Sequence, residues 1–303
     1  MPHPGSEQRV LERFMQLSIA AAVATIALKA LAAWFTGSVG FLSDALESVV
    51  NLVAAVAGFY ALRIAAKPAD DNHQFGHGKA EYVSALVEGA MIFIAAGMII
   101  YTAIQRFFVP QPIAEPGWGL ALSTLSSVLN CLVGIALIRA GKHYRSATLN
   151  ADGHHLLTDV WTSVGVLVGI AAVYLTGWMW LDPVVALAVG INILWTGYTL
   201  LRDSVSRLLS EALPEEEQRQ IRQLLARLEE KHEVSFTDWR TVASGRQRLV
   251  YLTMEVPGQW SVMRSHEVSD DVEIALDELF PGCSAFIHVE PAGLELRRPY
   301  LFR

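Results

Sequence analysis

Six stretches of mainly apolar residues, each about 20 long, dominate the first two thirds of the chain, and a helix that crosses a bilayer needs roughly that length. They fall near 15–36, 40–65, 82–105, 116–138, 150–176 and 178–202. The second and fifth carry several polar groups, but their neighbours span so clearly that these two read as spans as well. Composition follows the same division. Only 17% of the 303 residues are charged and the mean hydropathy is +0.35, whereas an ordinary soluble domain is about a quarter charged. The last 95 residues (209–303) hold 11 of the 23 Lys and Arg and 17 of the 30 Asp and Glu. The expected fold is a membrane all-α six-helix domain over 1–208, followed by a small α+β domain over 209–303.

The net charge of −7 argues against nucleic acid as a partner, because phosphate-binding domains are normally basic. Cys131 and Cys283 stand far apart and outside any C-x-x-C pair, so neither a disulfide framework nor a thiolate site is expected. MPHPGSEQRVLERF has no apolar run after a basic start, so no cleavable signal is expected. Arg9 and Arg13 precede span one, Lys67 and Lys79 lie between spans two and three, and Arg139, Lys142 and Arg145 lie between four and five. The opposite loops TGSVG and TGW have no Lys or Arg. Positive residues stay on the cytoplasmic side, so both termini are expected there. Trp34, Trp118, Trp178, Trp180 and Trp195 lie mostly near span ends, where an interfacial belt forms.

The tail reads as α-β-β-α-β. Pro214 and three acids open a helix over 214–231, and Ser244-Gly245 marks a hairpin turn between runs 234–242 and 248–256. A second helix covers 261–280, and a last strand is expected around 286–289.

Charges inside a bilayer are costly and point to function. Span two carries Asp44, Glu47 and Asn51, and span five carries Asp152, His154, His155 and Asp159. Glu47 and Asn51 are four apart, as are His155 and Asp159, so each pair shares one helix face. If the faces meet, two carboxylates, an amide oxygen and an imidazole form a four-ligand cage for a divalent transition metal. Plain interhelical hydrogen bonding is the competing explanation. Asp44 reads equally as a helix cap and as a ligand. Lys29 and Glu88, also within spans, each read as a member of a structural ion pair. In the loop PADDNHQFGHGKAE, Asp70, His73 and His77 are spaced i, i+3, i+7 and can reach one cation from a helical turn or a turn running into a helix. In the tail, His288 and Glu290 share one strand face, and a helix crossing the sheet could bring His266 over them as a third, cytoplasmic metal site.

With these residues in view, the chain is similar to the cation diffusion facilitator family, of the bacterial zinc/iron-efflux type, over nearly its whole length. The similarity rests on PADDNHQFGHGKAE (68–81), on GSVGFLSDALESVVN (37–51), on the HxxxD of His155–Asp159, and on the tail pattern. The resemblance implies a homodimer of six-helix subunits in the inner membrane, with cytoplasmic ferredoxin-like, metallochaperone-like tails. It implies export of divalent cations (zinc foremost, then Fe2+, Co2+, Cd2+, Mn2+ or Ni2+) in exchange for protons by alternating access. It places the transport site at Glu47, Asn51, His155 and Asp159, and a second site at Asp70, His73 and His77. A regulatory site, with metal as effector, would lie at His266, His288 and Glu290, and a dimer interlock at Lys79 and Glu211. Three positions depart from the family pattern. Asn51 stands where many members have aspartate, Thr237 and Thr253 stand where histidine is common, and Glu211 is offset from the expected acid. Two other classes use the same residues differently, a proton-independent cation channel and a non-transporting membrane metal sensor. HExxH, a nucleophile–base pair and a nucleotide loop are all missing from the sequence, so an enzyme is not expected.

Overall fold

The computed structural model describes residues 4–36, 39–108, 118–178 and 180–293. The chain divides into two compact units, 1–208 and 209–303.

Among the described residues the first unit has six helices: α1 (Pro4–Thr36), α2 (Val39–Ala65), α3 (Ala80–Phe108), α4 (Trp118–Tyr144), α5 (Ala147–Thr176) and α6 (Leu181–Leu208). The shortest have 27 residues, about 40 Å at 1.5 Å per residue, against a hydrocarbon core of roughly 30 Å. Of these, Glu7–Ala32, Ala80–Gln105, Ala121–Tyr144 and Pro183–Leu208 are, among the described residues, long and apolar enough to cross a membrane. The helices outside this set, α2 and α5, are the two that carry the polar pairs. Trp34, Trp178, Trp180 and Trp195 are all exposed, as an interfacial belt requires. The side chain of Trp118 lies outside the described residues.

Helix α3 packs on α6, α4 on α5, and α1 on both α2 and α4. Leu11, Met15, Leu62, Leu137 and Leu149 form a fully buried cluster among α1, α2, α4 and α5. Lipid is as apolar as leucine, so close association depends on small residues that let backbones approach. The α4–α5 contact shows this directly. A Cβ on Gly153 would lie 2.7 Å from Ile138 Cγ1 and 2.9 Å from the Gly134 carbonyl oxygen. Gly153→Ala is therefore expected to destabilise the bundle by about 1–3 kcal/mol, the cost of overpacking. A lowered thermal midpoint in detergent would show it, and an unchanged midpoint would mean that the two helices part freely.

The second unit is α7 (Glu215–His232), β1 (Ser235–Ser244), β2 (Gln247–Val256), α8 (Val262–Leu279) and β3 (Ser284–Pro291). Strand β1 pairs antiparallel with β2, and β3 returns parallel to β2 after the α8 crossover. The hairpin turn is Gly245-Arg246, one residue later than expected, with Gly245 at φ 61° and Ser244 paired with Gln247. Ile221, Leu225 and Leu228 of α7, Val268, Val272 and Leu276 of α8, and Val250, Leu252, Met254 and Val256 of β2 make one core. Strand residues alternate between faces, so both helices cover the same side of the sheet. The other side carries Tyr251, Thr253, Phe286, His288 and Glu290, with Tyr251 stacked on Phe286 at 4.7 Å. Arg248 clamps Glu217 with two bonds, of 2.9 and 3.0 Å, and so ties β2 to α7. Both cysteines are free thiols, and burial pushes Cys283 up to about 11, which keeps it protonated at neutral pH.

Candidate functional site

The polar residues of α2 and α5 meet inside the first unit. Asn51 and His155 are buried, at 8% and 6% exposure. His155 Nε2 lies 2.8 Å from Asn51 Oδ1, and Asn51 Nδ2 donates to Asp159 Oδ2 at 2.7 Å. Neighbouring ligand atoms around a tetrahedral zinc with bonds of 2.0–2.1 Å are about 3.4 Å apart. A modest spreading of His155 Nε2 and Asn51 Oδ1, with the Asn51 Nδ2 bond to Asp159 opened, would therefore admit an ion. The one-turn spacing on α5 stacks His155 and Asp159 on one face, and Gly153 lets α4 come close beside them. The side chains of Asp44 and Glu47 lie outside the described residues.

A further residue reaches this centre from α4. Asn130 is buried, its Nδ2 donates to Asp159 Oδ2 at 3.5 Å, and its Oδ1 has no hydrogen-bond partner. The sequence contains the signal, an amide in the middle of a span whose other polar residues before it are serines and a threonine. A lone Asn in a span does not reveal which face it occupies.

The loop after α2 gathers Asp70, His73 and His77. Their ligand atoms lie within 4.8 Å of one another, the one such group of three among the described residues. The segment is a turn and not a helix, since α3 starts at Ala80. Asp70 builds it. Its Oδ1 accepts from the His73 backbone N–H at 2.7 Å and from Asn72 N at 3.0 Å. The His73 N–H, followed by the other bonds to His73 and Asn72 and by nearby His77, holds the Asp70 carboxyl below its ordinary value. An ionised oxygen therefore faces the two rings. His77 Nδ1 lies 3.1 Å from the Pro68 carbonyl and its Nε2 3.3 Å from Asp70 Oδ2. A backbone carbonyl on one ring nitrogen leaves the other as the ligand.

The tail expectation needs correction for a single chain. His288 Nε2 lies 3.0 Å from Glu290 Oε1, but His266 lies beside Asp270 at 3.5 Å and does not join them. The cause is the face of the sheet. Val268, Val272 and Leu276 dock α8 on the core side, while His288 and Glu290 alternate to the opposite side. His266 points outward from α8 and is exposed. The outer face brings Thr253 next to His288 and lets Thr237 donate to Glu255 at 3.2 Å.

Lys79 donates to the Leu208 carbonyl at 3.3 Å. Its pairing with Glu211, which belongs to the other unit, rests on the resemblance alone. The ion-pair expectation for Glu88 does not hold: the charged group facing it, among the described residues, is the acid Asp152.

A six-helix bundle with a polar centre, joined to a three-stranded α+β unit, defines a multi-pass membrane transporter. The chain belongs to the cation efflux family, the cation diffusion facilitators: the cation efflux transmembrane domain matches residues 15–209 and the cation efflux cytoplasmic domain matches residues 213–292. An uncharacterized transporter of Synechocystis sp. is 46% identical over 283 residues, covering 93% of this chain and 91% of its own. The cation-efflux pump FieF of Salmonella paratyphi A is 30% identical over 289 residues, covering 94% of each chain. A solved chain of CzrB in its Zn form is 34% identical and covers 28% of this chain and 97% of its own, with a TM-score of 0.27.

Proposed function

We propose that the protein exports divalent transition-metal cations from the cytoplasm in exchange for protons, by alternating access within a homodimer. Zinc is the first candidate, followed by Fe2+, Co2+, Cd2+, Mn2+ and Ni2+. The observation that carries this is the meeting of Asn51, His155 and Asp159 inside an apolar bundle. With Glu47 they would form the transport site. The relative named as a cation-efflux pump supports the direction of transport.

The coupling follows from competition. A metal needs His155 neutral and Asp159 ionised, and protons compete for those same atoms. Imidazole has an unperturbed value of about 6.5, so a compartment slightly more acidic than the cytoplasm shifts the competition toward protons. Inward proton movement then drives outward metal movement. Asp70, His73 and His77 would take a second ion near the cytoplasmic end of α3. In the tail, His288 and Glu290 of the outer sheet face would take an effector ion, and His266 could enter only from another copy. Lys79 and Glu211 would lock the dimer. The protein would lie in the inner membrane with both termini cytoplasmic, and its work is transport without an enzymatic step.

Purified protein in liposomes with an imposed pH gradient tests the proposal. Added Zn2+ should move protons, and metal uptake should fall when the gradient is collapsed. Metal flux that ignores the gradient would favour a channel, and no flux with retained binding would favour a sensor.

A further inference from the structure

The bundle holds a second set of buried polar groups, apart from Asn51, His155 and Asp159. Glu88 of α3 and Asp152 of α5 are each only 2% exposed. Both carboxylate oxygens of Glu88, Oδ2 of Asp152, the Ser18 hydroxyl of α1 and the Thr148 hydroxyl of α5 have no hydrogen-bond partner. These groups are neighbours. Glu88 faces Asp152, with the Ser84 hydroxyl beside it, and Asp152 faces Ser18 on one side and His155 on the other. Thr148 is one helical turn before Asp152, on the same face of α5. Gly58 of α2 packs closely against these groups: a Cβ there would lie 3.0 Å from Met15 Cε, 3.1 Å from Thr148 Cγ2 and 3.3 Å from Glu88 Oε1.

Two buried carboxyl groups side by side, each with a serine hydroxyl next to it, are neutralised either by protons or by a bound cation. The protein does not bring a basic side chain to Glu88 among the described residues. Lys29 is on the same helix as Ser18, but eleven residues on, about 16 Å along the axis. The donors here are carboxylate and hydroxyl oxygens only. Such a set suits hard cations, and two carboxylates neutralise one divalent ion.

We propose that Glu88, Asp152, Ser18 and Thr148 form a second intramembrane cation site, of oxygen ligands only, for a hard divalent cation such as Mn2+. It adjoins the histidine-containing centre through the Asp152–His155 contact but shares none of its ligands, lies apart from the loop triad, and does not depend on proton coupling. Its place, one turn before His155 on α5, makes it a station next to the transport site.

Mn2+ itself is the probe. Full-length protein in lipid nanodiscs is titrated with Mn2+ and followed by continuous-wave and pulsed EPR. Ions at the histidine-containing centres show coupling to ligand 14N, whereas an ion at this site does not. Glu88→Gln, which keeps the shape, should remove one Mn2+ per chain from the population without 14N coupling and leave the coupled population in place. Asp159→Ala should do the reverse. If Glu88→Gln retains that population in full, the proposal is overturned and the acids hold protons. Should Glu88→Gln fail to fold, Ser18→Ala and Thr148→Val each remove one oxygen and should weaken Mn2+ binding about tenfold or more. Unchanged affinity in both would equally overturn it. Failure of proton-coupled export, by contrast, would appear as flux without gradient dependence while this Mn2+ population stayed intact.

Discussion

Asp159→Ala abolishes metal-driven proton flux in proteoliposomes while the protein still purifies as a folded species. Asp159 is the described carboxylate on which the centre converges. One of its oxygens, Oδ2, accepts from Asn51 at 2.7 Å and from Asn130 at 3.5 Å. Removing it takes away the negative charge and leaves two amide donors facing a void. A supporting group around a metal site typically accounts for 10–100-fold in affinity or activity, and a direct ligand for at least the upper part of that range. The expected loss is therefore about a hundredfold or more. The fold should survive, because Asp159 is not in the buried leucine cluster that joins α1, α2, α4 and α5. Undiminished flux in a correctly folded variant would remove Asp159 from the transport site.

Asn51→Asp is the second large effect, and it acts on selectivity. Asn51 now bridges the centre, accepting at Oδ1 from His155 Nε2 and donating from Nδ2 to Asp159. A carboxylate in its place cannot donate, and it would sit against Asp159 at hydrogen-bond distance. The two acids would then have to share a proton or a cation. The substitution adds one negative charge and one proton-binding group to the cage. Transport by the variant should depend more steeply on pH, and its preference should move toward Zn2+ relative to Fe2+, Mn2+ and Co2+. The measurement is side-by-side uptake of six divalent metals under one imposed gradient, wild type against variant. If zinc dominates in both and the profile is unchanged, the amide is a tolerated variation and not the selectivity element.

The parts of the fold that depend on one-dimensional patterns were legible in the chain. Apolar runs of bilayer length marked the six helices, and alternation marked β1 and β2. The four-residue spacing put His155 and Asp159 on one face before any partner helix was known. What was not legible depended on which surfaces meet. Asn130 looked like any amide in a span, because its role comes from where α4 crosses α5. Glu88 was visibly a buried acid, but its neighbour proved to be Asp152 and not a base. The loop triad was legible from spacing, although the turn built on the Asp70 side chain was not. His266 is a different case. The apolar positions Val268, Val272 and Leu276 already say which side of α8 is covered, and strand parity already places His288 and Glu290 opposite Ile287. The pattern contained the correction, but using it required deciding which sheet face the helix covers.

The glycine contact between α4 and α5 has a mechanical consequence. Gly153 packs so close to Gly134 and Ile138 that no side chain fits between α4 and α5 there. Asn130, His155 and Asp159 therefore sit on one closely packed helix pair. Asn51 rides on α2, which touches α5 far less extensively among the described residues. If the centre opens by helix movement, the sparser α2–α5 seam at Asn51 is where it would part. On the proposed transport reading, an ion held here would lose its α2 ligand before its α5 ligands.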